Sequence, residues 1–541
     1  MEVSTKGISL LLNGNLFDRG RRWFDKNTLR IVIYILTFVS VAVFLHFSKN
    51  GLNLAYNDAR SHLDIGRRVV EGLKVGLAQL GSVWLPLPHI LMVPTVWNDY
   101  FWHSGLSGSL QSMISFVATG VLIYKYLEKL KVGMVGRLFA VLIFAANINI
   151  LYLQSTAMTE LLLLATMTAG AYYLMLWLAD ENLLSLVQAA FWIMMSTAIR
   201  YDGWFLFLFS TLLIGYTVIR KKGYVEAEGV LLLFMTLGGF AIILWLLWNL
   251  LIFGDPLYFA FGPYSAHAQQ AQIYEAGELF SKGNLWLSVK AYIYAVFYNM
   301  YTLFAILGVF GFVKLWKDKR LGKNFKLASV VLLAPFIFNV LALYLGHSVL
   351  FVVGVVNDTW FNVRYGTMLV PSIAVFSGFL IDKLKNFRWP IIGLSLTILI
   401  FAYYSSDIVT LDDALIGASG KNVAEVSSWL KANASDEDGF ILMSVASHDA
   451  IVFSSGLPME KFIHEGTGKY WDYALQYPDK WAKWIVMRTN DTSDVTFREL
   501  KDNQRLNRFE LVDSYPFADI YKLKDEYKDL VYTKPLEWIE E

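Results

Sequence analysis

The 541-residue chain contains no cysteine, which excludes a disulfide framework, thiol chemistry and a Cys-ligated metal. It is also poor in charge. Asp, Glu, Lys and Arg make up 17% of its residues, against about 25% in soluble domains. It has no internal repeat, no low-complexity tract and no Gly-rich loop of the kind that cradles nucleotide phosphates. The formal net charge of +1 is silent about partners, and no nucleic-acid partner is expected. What the chain does have is apolar length. Hydrophobic residues make up 56% of it and the mean hydropathy is +0.46.

Apolar runs recur at the length needed to cross a hydrocarbon core roughly 30 Å thick. Eleven spans are predicted, near 31–47, 109–127, 138–153, 158–178, 184–199, 204–219, 229–252, 291–314, 327–346, 362–381 and 389–404. The first run follows a basic segment but lacks a small-residue cleavage site, so it reads as a retained span. Lys and Arg fall in five clusters: Arg19–Arg30, Lys125–Arg137, Arg220–Lys222, Lys314–Lys326 and Lys383–Arg388. In an eleven-span arrangement all five lie on one side, which the positive-inside rule makes cytoplasmic. The N-terminus is then cytoplasmic and the C-terminal region extracytoplasmic, in a multi-pass protein of the plasma membrane. One inner loop, near Asp180 and Glu181, lacks the expected Lys or Arg.

Two outer regions are long. In the first, about 48–108, apolar residues at Leu63, Ile65, Val69, Val70 and Leu73 fit an amphipathic helix along the membrane interface. Asn57 or Asp58 could cap it. A proline-rich turn, Gln79–His89, and a short helix, Ile90–Trp97, follow. The second region starts at about 405, where composition becomes that of a soluble protein. A helix over Asn422–Ala432 and strands over Gly439–Val445, Trp484–Arg488, Phe509–Val512 and Ile520–Lys522 predict a small α/β domain. The expected organisation is a polytopic α-helical membrane domain, 1–404, followed by an extracytoplasmic α/β domain, 405–541.

The strongly polar residues that interrupt the apolar runs share one side. Asp58, Glu160, Arg200, Asp202, Asp255 and Arg364 each sit at or just beyond the outer end of a predicted span. Scattered structural charges would divide between the two faces, so the pattern suggests a common site. Each residue also has a plainer role. Asp58 could cap a helix, and Glu160 could offset a helix dipole with Thr156 or Thr159 as cap. Arg200 and Asp202 could neutralise one another, and Asp255 suits its Gly–Asp–Pro turn. Arg364 could snorkel, although Arg on the outer side runs against the charge bias. His62 lies one turn after Asp58 on the same helix face, so the two could hold a divalent metal; a solvated interfacial histidine is the simpler reading.

In order along the first 400 residues stand Tyr56-Asn-Asp-Ala-Arg60, Gln79-Leu-Gly-Ser-Val-Trp84-Leu-Pro-Leu-Pro-His89, Leu153-Gln-Ser-Thr-Ala-Met-Thr-Glu160, Arg200-Tyr-Asp-Gly-Trp204, Gly254-Asp-Pro-Leu-Tyr258 and Arg364-Tyr365 with Pro371. With the trailing soluble domain, this ordered set resembles the membrane glycosyltransferases of the GT-C superfamily, among them protein O-mannosyltransferases and lipid A aminoarabinose transferases. The resemblance implies transfer of a hexosyl or pentosyl group from a polyprenyl-phosphate carrier to a protein, lipid or glycan acceptor on the outer face, with inversion. It implies that Asp58 is the general base or an acceptor-orienting group, that Glu160 helps form the site, and that Arg364 and Arg200 hold the donor phosphate. Tyr56, Arg60, Trp84, His89, Tyr201, Asp202 and Tyr365 would then line the substrate site. Relatives often carry two adjacent acidic residues in the first outer loop; here Asn57 stands beside Asp58, which counts against a two-carboxylate metal centre.

Other readings compete with this one. A lipid-linked polysaccharide ligase or polymerase differs only in donor and acceptor length. A transporter or lipid flippase would show repeats and charges near the bilayer midplane, whereas here the repeats are absent and the charges lie at one rim. A membrane sensor leaves the shared polar face unexplained.

Overall fold

The computed structural model describes residues 14–262, 265–416, 420–445, 449–491 and 494–535. Among them, seven helices are long and apolar enough to cross a membrane: Asn27–Lys49, Leu106–Lys129, Glu160–Asp180, Tyr201–Lys222, Lys323–Leu345, Val363–Lys383 and Arg388–Ile416. Two more expected spans are broken. Tyr224–Gly238 and Phe240–Phe253 meet at 49°, at the Gly238–Gly239 pair, a usual cause of a kink. Leu285–Met300 and Thr302–Lys317 meet at 111°. The chain turns there at Tyr301, whose φ is 61°. The remaining two expected spans are shorter apolar helices, Met134–Ala145 and Leu183–Thr197. The predicted run 138–153 stops at Asn147, whose side chain accepts from the Asn149 and Ile150 amides and so starts a separate short helix. The molecule is a polytopic helical membrane protein.

Close backbone packing holds the bundle. A Cβ on Gly311 would lie 2.0 Å from the Phe376 carbonyl oxygen, and one on Gly136 would lie 2.5 Å from that of Gly378. Such small residues let membrane helices approach until their backbones touch. Basic loops distant in sequence meet at one end of this bundle. Lys129 pairs with Asp180, Arg137 with Glu128, and Lys221 and Lys222 with Glu181. The acidic turn at Asp180 and Glu181 thus neutralises its basic neighbours, which accounts for the loop without Lys or Arg.

At the opposite end lies the first long loop. Its helix runs Asn57–Arg68, shorter than the Asn57–Leu73 expected. Tyr56 occupies the N-cap position and no side chain caps the helix, so neither Asn57 nor Asp58 has the capping role considered for it. The helix is also in contact with the C-terminal part of the chain. The C-terminal part covers it: Asp64 accepts from the Phe453 amide at 3.1 Å, and Arg60 donates to Ser454 Oγ at 3.0 Å. Arg67, expected on a polar face, is buried beneath this cover, with its guanidinium on the Val96 carbonyl and against the Trp102 ring. Gln79–Leu80 and the prolines lead into helix Leu87–Val96, three residues earlier than expected. The apolar stretch before Arg364 is a hairpin of β1 (Phe351–Val352) and β2 (Val356–Phe361).

The C-terminal part contains a helix, Gly420–Ala434, and a five-stranded mixed sheet. Its strands are β3 (Ile441–Leu442), β4 (Phe462–Ile463), β5 (Trp484–Met487), β6 (Phe509–Ser514) and β7 (Asp519–Leu523), in the order β4-β3-β5-β7-β6. β3 runs parallel to β4 and β5, while β7 is antiparallel to β5 and β6. Only β4 was absent from the sequence reading, and two residues are too few to show a period.

One close approach matters for the site. Gly366, in the 3-10 segment Val363–Leu369, lies against helix Leu285–Met300, where a Cβ would stand 2.4 Å from the Ala295 carbonyl oxygen. Gly366→Ala should therefore push away the segment that carries Arg364 and cost about 1–3 kcal/mol, as overpacking does. A melting temperature in detergent equal to that of the parent would show that this contact is loose.

Candidate active site

Four carboxylates and two guanidiniums gather at the end opposite the basic loops. Asp58 comes from the second position of helix Asn57–Arg68, and Glu160 opens helix Glu160–Asp180. Arg200 is the extended residue before helix Tyr201–Lys222, and Asp202 lies in its first turn. That turn is tight. A Cβ at Gly203 would fall 2.2 Å from the Ser196 carbonyl oxygen, so glycine is needed for the two spans to close so near Arg200. Arg364 follows Asn362, which turns the chain with φ 57° and ψ 21°.

Arg364 joins the group. Its Nη2 donates to Asp58 Oδ2 at 2.7 Å and its Nε to Glu160 Oε1 at 3.1 Å. Its Nη1 faces Asp413 Oδ2 at 3.6 Å. Arg200 shares the same Glu160 oxygen at 3.0 Å and pairs with Asp202 at 3.3 Å. Neither Asp58 nor Glu160 serves as a cap or dipole partner only, and Thr159 caps nothing with its side chain. Glu160 is fully buried and its Oε2 has no hydrogen-bond partner among the described residues. The Asp58 side chain, at 41% exposed, is the open carboxylate of the four. The Arg200 side chain keeps 20% exposure, against 8% for Arg364.

Aromatic rings frame the cations. Arg364 lies 4.9 Å from the Tyr56 ring centroid and 5.4 Å from that of Tyr365, and Arg200 lies 5.0 Å from that of Tyr365. Tyr56 donates to Asp413 Oδ2 at 2.9 Å. Burial, then the Asp413 charge, holds the Tyr56 phenol well above its usual pKa, so it remains a donor. Asp413 is the residue that sequence reasoning missed. It stands in helix Val409–Ile416, is buried, and also accepts from the Asn362 amide at 3.1 Å. Its signal was the Asp412–Asp413 pair just past the last predicted span, on the same outer side as the others.

The remaining expected residues divide. Arg60 turns to the Leu54 carbonyl and Ser454. Tyr201 donates to the Val83 carbonyl at 3.0 Å and stacks on Phe259. Asp255 is exposed and accepts from the Leu257 amide at 2.9 Å, the turn role alone. His62 Nδ1 and His89 Nε2 are 2.8 Å apart, with the Trp84 ring 4.3 Å from that of His62. His89 is fully buried behind His62 rather than open to a cavity. His62 and Asp58 thus have separate partners. Among the described residues, no group of three or more His, Asp or Glu is arranged to hold a metal ion.

No family model matches the chain, and no curated protein matches it significantly. Solved structures do match. ArnT from Cupriavidus metallidurans bound to undecaprenyl phosphate superposes with a TM-score of 0.57 at 11% identity, over 90% of this chain and 98% of that one. The archaeal oligosaccharyltransferase AglB from Archaeoglobus fulgidus, in complex with an inhibitory peptide and a dolichol-phosphate, gives 0.51 at 11% identity, over 86% and 70%. The fold is GT-C-like. The ArnT match spans nearly the whole of both chains, so it extends into the C-terminal part as well as the helical bundle.

Burial, and then the nearby Arg200 and Arg364 charges, push the His62 imidazole down to about 3. Burial likewise lowers His89 well below its usual value. Both are therefore neutral in the folded protein at pH 7. In the unfolded chain they protonate near pH 6.5. Stability should then be complete above about pH 6.5 and decline as pH falls towards 3, because the unfolded state binds more protons. His62→Gln should flatten the melting temperature between pH 7 and 5; an unaltered slope would remove His62 as its source.

Proposed function

We propose that this chain is a membrane glycosyltransferase that moves a sugar from a polyprenyl-phosphate carrier to a hydroxyl or amine of a protein, lipid or glycan acceptor, with inversion at the anomeric carbon. The observation that carries this reading is the convergence of Asp58, Glu160, Arg200 and Arg364 at one end of a GT-C-like bundle. Its fold matches include structures that contain undecaprenyl phosphate and dolichol-phosphate.

The reaction breaks the bond between the anomeric carbon and a phosphate oxygen. Negative charge grows on the departing lipid phosphate, and fixed cations stabilise it. Arg200 is the more exposed guanidinium and meets the phosphate first. Arg364 has its nitrogens on carboxylates, so a phosphate reaches its Nη2 by displacing Asp58. That exchange frees the Asp58 carboxylate to take the proton of the acceptor as it attacks from the opposite side. Donor arrival and release of the base are then one event. Glu160, deep and shared by both arginines, holds the two guanidiniums in place. Tyr56 and Tyr365 wall the pocket, Asp202 steadies Arg200, and Trp84 with the His62–His89 pair backs the loop that carries Asp58. Both histidine nitrogens and the carboxylates are of the donor types that bind a divalent cation, but His62 and Asp58 face different partners.

In this reading the site faces outward and the paired basic loops lie in the cytoplasm, with the region from 405 onward outside the cell. Alkaline phosphatase fused after Glu541 should be active. An inactive phosphatase, with an active cytoplasmic reporter at the same point, would reverse the orientation.

Asp58→Asn tests the mechanism. Asn keeps the size of Asp but cannot accept a proton, so transfer by the purified enzyme should fall on the order of 10²–10⁴-fold. Binding of a polyprenyl-phosphate sugar should persist or tighten, since the competing carboxylate on Arg364 is gone. A variant that retains most of its transfer rate would exclude Asp58 as base and turn attention to Glu160. Mass spectrometry of cell-envelope glycans, with and without the gene, would name the sugar and the acceptor.

A further inference from the structure

Far from this site, the loops at the basic end line an open hollow of about 700 Å³. It lies where helices Thr302–Lys317 and Val363–Lys383 end and Arg388–Ile416 begins. The close contact of Gly311 with Phe376 brings the first two ends together. Seven cationic side chains and two carboxylates line the cavity. Both carboxylates already serve one lysine: Lys383 Nζ lies 3.5 Å from Asp318 and 3.4 Å from Asp382. Asp382 also accepts from the Gly133 amide at 2.9 Å. Among the described residues, Lys314, Lys317, Lys319, Arg320, Lys385 and Arg388 have no carboxylate within ion-pair distance.

The positive-inside rule explains the sign of these charges but not their convergence without counter-charge. The other basic loops of the same end make the contrast, since Lys129, Arg137, Lys221 and Lys222 are each ion-paired. Helix dipoles explain Lys314, Lys317 and Lys383 in last turns, but Lys319, Arg320 and Lys385 lie beyond the helices. A surplus of five positive charges around one hollow, seven cations against two carboxylates, repels itself unless an anion enters. Next to these cations in sequence are exposed aromatic residues, Trp316, Phe387 and Trp389, of the kind that settles at the level of lipid headgroups. Basic pockets between helix ends with such a rim suit lipid phosphates.

We propose that this cavity binds the phosphate headgroup of an anionic membrane phospholipid, whose acyl chains lie along Trp316, Phe387 and Trp389. The leaflet involved follows from the orientation argued above; the binding itself does not depend on it, nor on the transferase reading.

Native mass spectrometry of the full chain, released from nanodiscs of equimolar phosphatidylglycerol and phosphatidylcholine, tests this. The parent should retain phosphatidylglycerol. The triple variant Lys319→Gln, Arg320→Gln and Lys385→Gln should retain at least about tenfold less, as loss of three phosphate-neutralising charges requires. The control Lys221→Gln with Lys222→Gln, on the same end but ion-paired, should retain as much as the parent. Equal retention by the triple variant, equal loss in the control, or equal retention of phosphatidylcholine would each overturn the proposal. Millimolar inorganic phosphate should not displace the lipid; displacement with phosphate bound in its place would make free phosphate the ligand and overturn the lipid assignment. A measurement on the parent alone guards against misfolding of the variant. Retention should fall between about 0.1 and 1 M salt, as screening demands, and retention indifferent to salt would also overturn it.

Discussion

The guanidinium of Arg364 is the point at which separate stretches of the chain are tied into one end. It meets Asp58 from the first long loop, Glu160 from the start of a span and Asp413 from the short helix Val409–Ile416. Taking such charges out of water costs several kcal/mol per ion, and only good geometry with further hydrogen bonds recovers it. Arginine suits the task because its planar fork presents donors in several directions at once and keeps its charge when buried. Removal of Arg364 would leave Asp413 buried with only the Tyr56 hydroxyl and the Asn362 amide, and Glu160 with Arg200 as its one cation, a loss of about 3–5 kcal/mol by the usual cost of breaking a buried pair. The docking of the C-terminal part reinforces the same assembly. Asp64 and Arg60, on the helix that carries Asp58, hold Phe453 and Ser454.

Much of this was legible in the residues. Apolar run length located the spans, because hydrocarbon thickness sets a length that little else requires. The shared side expected of Asp58, Glu160, Arg200, Asp202 and Arg364 is now a set of contacts between 2.7 and 3.3 Å. Asp255 shares their side but keeps the turn role that its Gly–Asp–Pro setting favoured, with the Leu257 amide as its partner. Asp413 escaped because it was read as the start of a soluble region, where an acidic residue is ordinary. The breaks at Asn147 and Tyr301 escaped for another reason. Hydropathy averages over a window and cannot register one residue that ends a helix. The hairpin Phe351–Phe361 is short and apolar, and so carries no distinctive period.

Burial, too, is a property of the assembly and not of a helix taken singly. Arg67 and His62 lie on faces that the helical period of Asn57–Arg68 assigns to water, yet both are buried, because the C-terminal part covers that helix. His62 consequently has no solvent to ionise into and pairs with His89 instead. The spacing of Asp58 and His62 was compatible with a shared ligand, but the tertiary contacts draw the carboxylate to Arg364 and the imidazole to His89.

The two ends of the bundle handle anions in opposite ways. At the basic end the cations outnumber their partners, and an incoming anion has only water to displace. At the site the carboxylates outnumber the guanidiniums, four to two, so a phosphate added to the intact cluster would enter a negative field. The proposed exchange avoids that penalty. A phosphate on Arg364 Nη2 replaces the one carboxylate that is exposed enough to leave, so the number of anions around that guanidinium does not rise. Glu160 and Asp413 cannot make way, being buried on all sides. Asp58 alone combines a bond to Arg364 with access to water, and the asymmetry in burial among the carboxylates thus decides which of them can move and which must hold.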